Sequence, residues 1–287
     1  MSDPNRTYST DDWAGETSHR WVAAADQLEA QLAPVSDVLF AAAGLQKGER
    51  VLDVGCGRAT TSRRAAADIG TTGRVTAVDV SAELLDAARA LASDGAPIEY
   101  IEGDGQRLEL PVGAFDVLLS RFGVMFFDDA SIAMANLGSA IRPGGRLCVA
   151  VWLPRWENEM MQWPIDVAAE VARSHGFELV SPDPNLGPFA WGDETWVTSM
   201  LEGAGWTDVH YAPTPMTLYL GGPSSPEDAL VTSMAVGPLR AALSEEGVTE
   251  DFVAEVRAAL LDAFTERHDG IGVPVSAMPA IVTATRI

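Results

Sequence analysis

Three carboxylates, Asp53, Asp79 and Asp104, lie within or directly after the first three stretches that the residue pattern predicts to be buried strands. The carboxyl ends of the strands form the ligand-binding edge of an open α/β sheet. One carboxylate there could be chance, and Asp104 alone could cap a loop. Three carboxylates in successive strand–helix units are better explained by one shared ligand, so we predict a ligand site at this edge.

Two glycines, Gly55 and Gly57, follow Asp53 in a predicted strand–turn–helix unit, the context in which a glycine-rich loop is informative. Glycine adopts backbone angles that other residues avoid, and its missing side chain lets a ligand approach the chain. A dinucleotide-binding loop would need a third glycine where this sequence has Thr60. A nearby carboxylate suits a sulfonium or an ammonium better than a pyrophosphate. We therefore favour a cationic ligand, with a plain structural turn as the alternative.

The composition is that of an acidic globular protein. The 287 residues include 19 Lys and Arg against 41 Asp and Glu, a formal net charge of −22, and 47% of them are hydrophobic. This charge argues against nucleic acid and anionic membranes as partners, and no apolar run is long enough to span a membrane. The spacing of Cys56 and Cys148 fits neither a metal site nor a disulfide framework, which predicts no metal and a reducing cytoplasm. The polar first residues are unlike a signal peptide.

The hydrophobic periodicity predicts an α/β fold, a doubly wound and mostly parallel seven-stranded sheet with helices on both faces. Residues 1–45 are predicted to form a helical cover interrupted at Pro34, and residues 46–152 the sheet core. Residues 153–200 are rich in Trp, Pro and Met, which predicts a helical lid inserted after the fifth strand. Residues 201–287 are predicted to complete the sheet.

The last part of the chain is predicted to contain two strands and two helices. The strands are expected at 209–220 and 273–287, and the helices at 229–243 and 252–268.

The stretch from Asp53 to Ala59 resembles the first motif of class I S-adenosylmethionine-dependent methyltransferases, with Ala59 where many members have a third glycine. The run 48–152 resembles the core of these enzymes, above all the ubiquinone/menaquinone-biosynthesis type and its secondary-metabolite relatives. The elements that carry this resemblance are, in order, the glycine loop, Asp79, Asp104, the segment Ser120-Arg121-Phe122-Gly123 and the turn Pro143-Gly144-Gly145. Together they are specific for the methyl donor and say much less about the acceptor.

The resemblance implies transfer of a methyl group from S-adenosylmethionine to a nucleophilic acceptor, with S-adenosylhomocysteine as the other product. It implies that Asp79 holds the ribose, that Asp104 holds the adenine, and that the glycine loop and Ser120 hold the methionine end. It also implies that the last strand lies between the fifth and the sixth. The residues expected to bind the cofactor are Trp21, Asp53, Gly55, Gly57, Asp79, Val80, Asp104, Gly105 and Ser120.

Aromatic and sulfur-containing side chains indicate where an apolar acceptor would bind, because they offer broad and adaptable contact surface. Ordinary core packing is the alternative for each of them. Aromatic faces could also stabilise the cationic character that methylation leaves on an indole or quinol ring, which favours carbon as the methylated atom. Oxygen and nitrogen acceptors stay open. The residues expected to bind the acceptor are Trp13, Phe122, Met125, Trp152, Trp156, Met160 and Trp163.

No residue is an obvious general base. Of the four histidines, only His19 lies in a segment expected to reach the cleft, and a surface or packing role is commoner for such a residue. We expect a small-molecule acceptor and no nucleic-acid or membrane partner, and the sequence leaves a homodimer open.

Two other classes of function share this sequence pattern. A methyltransferase-like protein could bind the same donor yet catalyse a rearrangement or serve as a binding module, since its donor site would look the same. A nicotinamide-dependent oxidoreductase would use similar glycines and acids, but Thr60, Asp53 and Asp104 argue against it.

Overall fold

The computed structural model describes Trp13 and residues 16–180, 183, 187–245 and 247–287. Two prolines of the predicted lid, Pro182 and Pro184, lie outside the described residues. The strands are β1 (Arg50–Val54), β2 (Arg74–Asp79), β3 (Ile98–Glu102), β4 (Phe115–Arg121), β5 (Ile141–Trp152), β6 (Trp206–Pro213), β7 (Met216–Tyr219), β8 (Pro274–Ala277) and β9 (Pro279–Arg286). The α-helices are α1 (Glu16–Ala23), α2 (Ala25–Ala43), α3 (Thr60–Ile69), α4 (Ala82–Arg89), α5 (Ala130–Ala140), α6 (Glu159–Ser174), α7 (Glu194–Gly203), α8 (Pro226–Ala235), α9 (Gly237–Ala242) and α10 (Glu250–Arg267).

The main sheet has seven strands in the order β3-β2-β1-β4-β5-β9-β6. The first five strands pair in parallel, whereas β9 runs antiparallel to both β5 and β6. The central strands β1 and β4 are nearly continuous apolar runs, as expected for strands that helices cover on both faces. The predicted doubly wound fold is confirmed, and the last strand lies between the fifth and the sixth. The strand order reverses between β1 and β4, so the loops after these two strands border the crevice where such sheets bind ligands.

The N-terminal helical cover differs from the prediction in where it is interrupted. Helix α2 runs through Pro34 without a break, and the break between α1 and α2 lies at Ala24 instead. Pro34 is exposed, while the buried face of the helix, including Leu32, Val35 and Leu39, continues across it. The packing of this face outweighs the hydrogen bond that proline removes, a cost of about 3 kcal/mol in an unsupported helix.

The C-terminal part also differs from the prediction, because two predicted strands are each divided. The stretch 209–220 forms the end of β6 and then β7, and the stretch 273–287 forms β8 and β9. Strands β7 and β8 leave the main sheet and pair with each other in a separate two-stranded sheet. Pro215 interrupts the ladder between β6 and β7 because it has no N–H to donate.

The helical layer over the carboxyl edge of the sheet therefore comes from more than one segment. Helix α6, from the predicted lid, packs against α9 and α10. These two helices come after β7 in the chain. The predicted helix at 229–243 is divided into α8 and α9, with Gly237 at a positive φ of 84° beside the division.

Helix α2 is attached to the sheet by an ion pair that is only partly exposed, with side-chain exposures of 10% at Arg121 and 30% at Glu29. Arg121, at the end of β4, donates from Nη2 to both carboxylate oxygens of Glu29 at 2.7 Å. The same guanidinium donates from Nη1 to Ser36 Oγ at 2.7 Å, and the Arg121 side chain is only 10% exposed. This pair fixes the height of α2 over the crevice.

Two further ion pairs hold the same helix at its solvent-exposed flanks. Arg58 of the glycine loop lies 3.1 Å from Asp26, and Arg64 of α3 lies 2.7 Å from Asp37. Both aspartates are exposed, so these pairs contribute little to stability on their own.

We expect Glu29→Gln to lower the free energy of unfolding by about 1–3 kcal/mol, since it leaves the buried Arg121 guanidinium without its counter-charge. The control is Asp37→Asn on the same helix, which breaks an exposed pair and should cost less than about 1 kcal/mol. Urea denaturation of both variants measures the difference. Equal losses in the two variants would contradict a special role for the buried pair.

Candidate functional site

A mainly apolar cavity of about 290 Å³ lies at the carboxyl edge of the main sheet. Its floor is formed by the carboxyl ends of β1 to β5 and the loops that follow them. Its walls are formed by α1, α2 and α6 and by the segment that joins α8 to α9. Of the residues predicted to bind cofactor or acceptor, those that line this cavity are Trp13, Trp21, Gly55, Gly57, Asp79, Val80, Asp104, Gly105, Phe122, Met125, Trp152 and Met160.

Glycine is needed at positions 55 and 57 for different structural reasons. Both have positive φ, 67° at Gly55 and 53° at Gly57. A Cβ on Gly55 would lie only 2.6 Å from the Cα of Gly123, so this glycine permits two backbones to touch. A Cβ on Gly57 would meet no protein atom within 4 Å, although Gly57 borders the cavity. Gly57 is therefore the one that leaves room for a ligand beside the loop.

Asp79 joins the end of β2 to the glycine loop. Its Oδ2 accepts a hydrogen bond from the Gly57 N–H at 2.7 Å, and its Oδ1 accepts one from the Ser81 N–H at 2.9 Å. The residue is only 9% exposed, and this burial raises the pKa of the carboxyl. Each carboxylate oxygen keeps a second lone pair, so Asp79 can still accept hydrogen bonds from two neighbouring hydroxyls in the cavity.

Asp104 lies at the next strand end along the sheet. Its Oδ1 accepts a hydrogen bond from the Gln106 N–H at 2.9 Å, and its Oδ2 lies 3.8 Å from Arg107 Nε. The adjacent Gly105 is packed closely, since a Cβ there would lie 3.2 Å from the Phe127 ring. The three strand ends that carry Asp53, Asp79 and Asp104 are neighbours in the sheet, but only the latter two aspartates line the cavity.

Asp53 does not line the cavity, contrary to the prediction of direct cofactor contact. It is 0% exposed, and its Oδ2 accepts hydrogen bonds from Thr61 Oγ1 at 2.7 Å and from Ser62 Oγ at 2.5 Å. Within the described part of the chain, its Oδ1 has no hydrogen-bond partner. Burial raises the pKa of this carboxyl to about 6. Because its partners lie in the first turn of α3, Asp53 anchors that helix rather than a ligand.

Ser120 is also placed behind the cavity wall rather than in it. Its Oγ donates to the carbonyl of Val54 at 2.7 Å and accepts from the N–H of Gly123 at 3.2 Å. The residue is fully buried and absent from the cavity lining. Its hydroxyl joins the ends of β1 and β4, so the predicted contact with the methionine end is replaced by a role in positioning the two loops.

The end of β4 carries a conformation that is unusual for its residue type. Phe122 has a positive φ of 65°, which is sterically costly for a bulky residue. Its N–H still donates to the Ala150 carbonyl at 2.9 Å, and its ring stacks on Trp152 with centroids 4.1 Å apart and planes at 6°. Strained residues of this kind cluster at functional sites. The strain here places a flat aromatic pair in the cavity wall.

The N-terminal aromatics close another part of the cavity. Trp13 lies edge-on to Phe126 with centroids 4.8 Å apart, and its ring centroid is 5.6 Å from that of Trp21. Helix α1 is anchored by the 2.8 Å hydrogen bond between Ser18 Oγ and Ser81 Oγ. The predicted cover therefore meets the strand-end loops at the cap of α4.

Three predicted residues lie away from the cavity. Trp156 is 60% exposed, and Trp163 packs beneath the guanidinium of Arg267, 3.8 Å from the ring centroid, where it joins helices α6 and α10. The weak catalytic candidate His19 is exposed and paired with Glu83 on α4. All three are absent from the cavity lining. Trp156, in the turn before α6, and His19, on α1, face solvent, whereas Trp163 faces α10, so the structure does not support these predictions of acceptor contact and catalysis.

Several lining residues were missed at the sequence level. Leu28, Gln31 and Leu32 project from one face of α2, and their spacing of three and four residues could have identified them together. Thr232 and Ser233 line the cavity from α8, and no local sequence pattern indicates that this helix lies there.

Among the described residues, no group of three or more His, Cys, Asp or Glu side chains is arranged to hold a metal ion. Within the same ranges, no helix has the length and apolar character needed to cross a membrane.

The sequence is similar to proteins that carry a methyltransferase domain. Residues 51–145 match the family described as methyltransferase domain. Over 125 residues the chain is 38% identical to an uncharacterized protein of Mycobacterium tuberculosis, covering 43% of this chain and 44% of that protein. Over 109 residues it is 29% identical to the ubiquinone/menaquinone biosynthesis C-methyltransferase UbiE of Psychromonas ingrahamii, covering 37% of this chain and 43% of that protein. The chain thus spans less than half the length of either relative.

A solved structure has the same fold. A Bacillus halodurans protein, itself assigned as a methyltransferase by inference, superposes with a TM-score of 0.53 at 18% identity, over 87% of this chain and 97% of that one. Together with the strand order and the family match, this likeness confirms the recognition made from the glycine motif. Residues 51–145 thus match the methyltransferase domain family, and the structure has the fold of that solved protein.

The raised pKa of Asp53 predicts a pH-dependent stability. A carboxyl with a folded pKa of about 6 and an unfolded value near 3.8 binds its proton more tightly in the folded state, so stability falls as pH rises from about 4 to about 6. Asp53→Asn removes this dependence. We expect the stability of the variant relative to wild type to be about 1–2 kcal/mol more favourable at pH 8 than at pH 5. Chemical denaturation of both proteins at both pH values measures this double difference, and a difference that is the same at both values would rule out the assignment.

Proposed function

We propose that this protein is a methyltransferase that transfers a methyl group from S-adenosylmethionine to an apolar, aromatic small molecule, with carbon as the favoured acceptor atom. The observation that carries the proposal is one cavity with two kinds of wall. The carboxylate-bearing ends of β2 and β3 form one wall, and the stacked Phe122 and Trp152 with Met125 and Met160 form the other. A charged donor and an apolar acceptor can therefore meet in a single cavity.

The donor wall fits the groups of S-adenosylmethionine by its chemistry. Asp79 retains free lone pairs that can accept hydrogen bonds from the two ribose hydroxyls. Asp104 would accept from the adenine amino group, and Gly57 leaves space beside the loop. These residue roles are part of the proposal.

The acceptor wall supplies alignment and exclusion of water rather than chemical groups. The donor supplies an activated methyl group when it is bound. Transfer to carbon would break the bond from sulfur to the methyl carbon, leave the electron pair on sulfur and release one proton from the acceptor. Holding two reactants in line can lower a barrier by about 7–11 kcal/mol. The faces of Phe122 and Trp152 would also stabilise a cationic ring.

Carbon methylation is supported by the partial likeness to UbiE, which is described as a C-methyltransferase. We further propose a reducing cytoplasmic location, because Cys56 and Cys148 are both free and buried. A small-molecule acceptor, without nucleic acid, fits the enclosed apolar cavity and the net charge of −22.

Calorimetric titration tests the donor directly. The purified protein, first checked by mass spectrometry for ligand that co-purifies, is expected to bind S-adenosylmethionine at micromolar concentration and not to bind NAD. Binding of NAD alone would overturn the proposal. Binding of neither compound by ligand-free folded protein would also count against it.

Asp79→Ala tests the donor wall. We expect at least a tenfold loss of affinity for S-adenosylmethionine, because the change removes the acceptor proposed for the ribose and also releases the Gly57 N–H. Asp86→Ala is the matched control, since Asp86 lies on the neighbouring α4, is exposed and pairs with Arg89. Circular dichroism establishes that both variants fold. Unchanged affinity in a folded Asp79→Ala protein would remove Asp79 from the site.

A further inference from the structure

The apolar wall of the cavity contains one buried amide whose hydrogen bonds are incomplete. Gln31, on the inner face of α2, is only 6% exposed and lines the cavity. Its Oε1 accepts a 2.8 Å hydrogen bond from the Gly221 N–H. Because this N–H can pair only with an oxygen, the orientation of the amide is settled, and Nε2 is the end that lies toward α6.

The partner of Nε2 is a poor one. Nε2 lies 3.0 Å from the Met160 sulfur, and a thioether is a weak acceptor. The amide nitrogen carries two hydrogens, and no oxygen acceptor lies within hydrogen-bond distance of it among the described residues. A buried donor left unsatisfied costs about 1–3 kcal/mol. Gln31 therefore presents a hydrogen-bond donor to a mainly apolar part of the cavity lining.

A second polar atom, on α8, also lacks a hydrogen-bond partner in the described part of the chain. Ser233 lines the cavity from α8, and its Oγ is buried with no hydrogen-bond partner in the described part of the chain. The neighbouring Thr232 shows the usual solution, since its hydroxyl donates to the Asp228 carbonyl at 3.0 Å. Unsatisfied buried polar groups in a folded protein call for an explanation, and a ligand is one.

We propose that Gln31 Nε2 and Ser233 Oγ form a polar subsite that binds a hydroxyl or carbonyl oxygen on an otherwise apolar, planar acceptor. The subsite rests on the proposed function, because it assigns the oxygen to the acceptor of that reaction. The oxygen-bearing end of the acceptor lies toward α2 and α8, and its planar body lies against Phe122 and Trp152. The two donors thereby select oxygenated rings over hydrocarbon rings of equal size.

A purely structural role accounts for only part of these observations. Gln31 fastens the turn after β7 by accepting from Gly221, which explains Oε1. It does not explain an amide nitrogen against a thioether, nor the unpartnered hydroxyl of Ser233. A structural role also predicts that Ser233→Ala leaves ligand binding unchanged.

The test compares two probes that differ by one hydroxyl, 2-naphthol and naphthalene. Their affinities for the full-length protein are measured by equilibrium dialysis, with and without S-adenosylhomocysteine. The variants are Gln31→Leu, Gln31→Glu, which keeps an acceptor for Gly221, and Ser233→Ala. The control is Gln27→Leu, one turn earlier on α2 and outside the cavity lining.

Wild type and Gln27→Leu are expected to bind 2-naphthol about fivefold more tightly than naphthalene, the worth of one net hydrogen bond. Gln31→Leu should abolish this preference, Gln31→Glu should retain it because a carboxylate accepts from the naphthol hydroxyl, and Ser233→Ala should reduce it, while naphthalene affinity stays within about twofold. Equal affinity of wild type for the two probes, or binding of neither, would overturn the subsite. So would a preference that is undiminished in folded Gln31→Leu and in folded Ser233→Ala. If the preference follows the prediction but S-adenosylmethionine does not bind, the subsite stands and the proposed methyl transfer fails.

Discussion

The contact between the backbones at Gly55 and Gly123 is the constraint on which the rest of the site depends. A Cβ on Gly123 would lie 2.6 Å from the Val54 carbonyl, and a Cβ on Gly55 would come equally close to the Cα of Gly123. The loops after β1 and β4 therefore touch with no side chain between them, and the hydroxyl of Ser120 bonds to both. This approach brings the glycine loop beside the strained turn at Phe122. The two kinds of cavity wall border one space because the loops after β1 and β4 are in direct contact.

Behind this contact, buried polar groups hold the loops while other residues face the cavity. Asp53 anchors the start of α3, and Asp79 holds the Gly57 amide from the neighbouring strand. Each arrangement buries a carboxyl group and so raises its pKa. These buried carboxyl groups lie beside a continuous apolar core, which covers the central strands on both faces. Rigidity at the strand ends is what lets a loop of small residues keep a defined shape.

The sequence was sufficient for the sheet and for the position of the site, but less so for individual contacts. Strand ends, loop glycines and the acids after β2 and β3 follow from local patterns, because a strand buried on both faces leaves a clear apolar run. Local patterns do not tell which side of a strand faces the ligand, so Asp53 and Ser120 were predicted to contact it and instead lie behind the wall. Trp156 and Trp163 have the composition of a lid, yet their direction depends on how α6 packs against α10. The lining residues Thr232 and Ser233 depend on tertiary packing that no local signal encodes.

The attachment of α2 has a further consequence, which concerns its response to dissolved ions. The ion pair between Arg121 and Glu29 is mostly buried, whereas the pairs from Arg58 to Asp26 and from Arg64 to Asp37 are more exposed to solvent. Screening at physiological ionic strength acts over about 8 Å and weakens exposed pairs far more than sheltered ones. Rising salt thus loosens the flanks of the helix before its centre. The covering helix is therefore held by one ion pair that salt affects little and two that salt weakens.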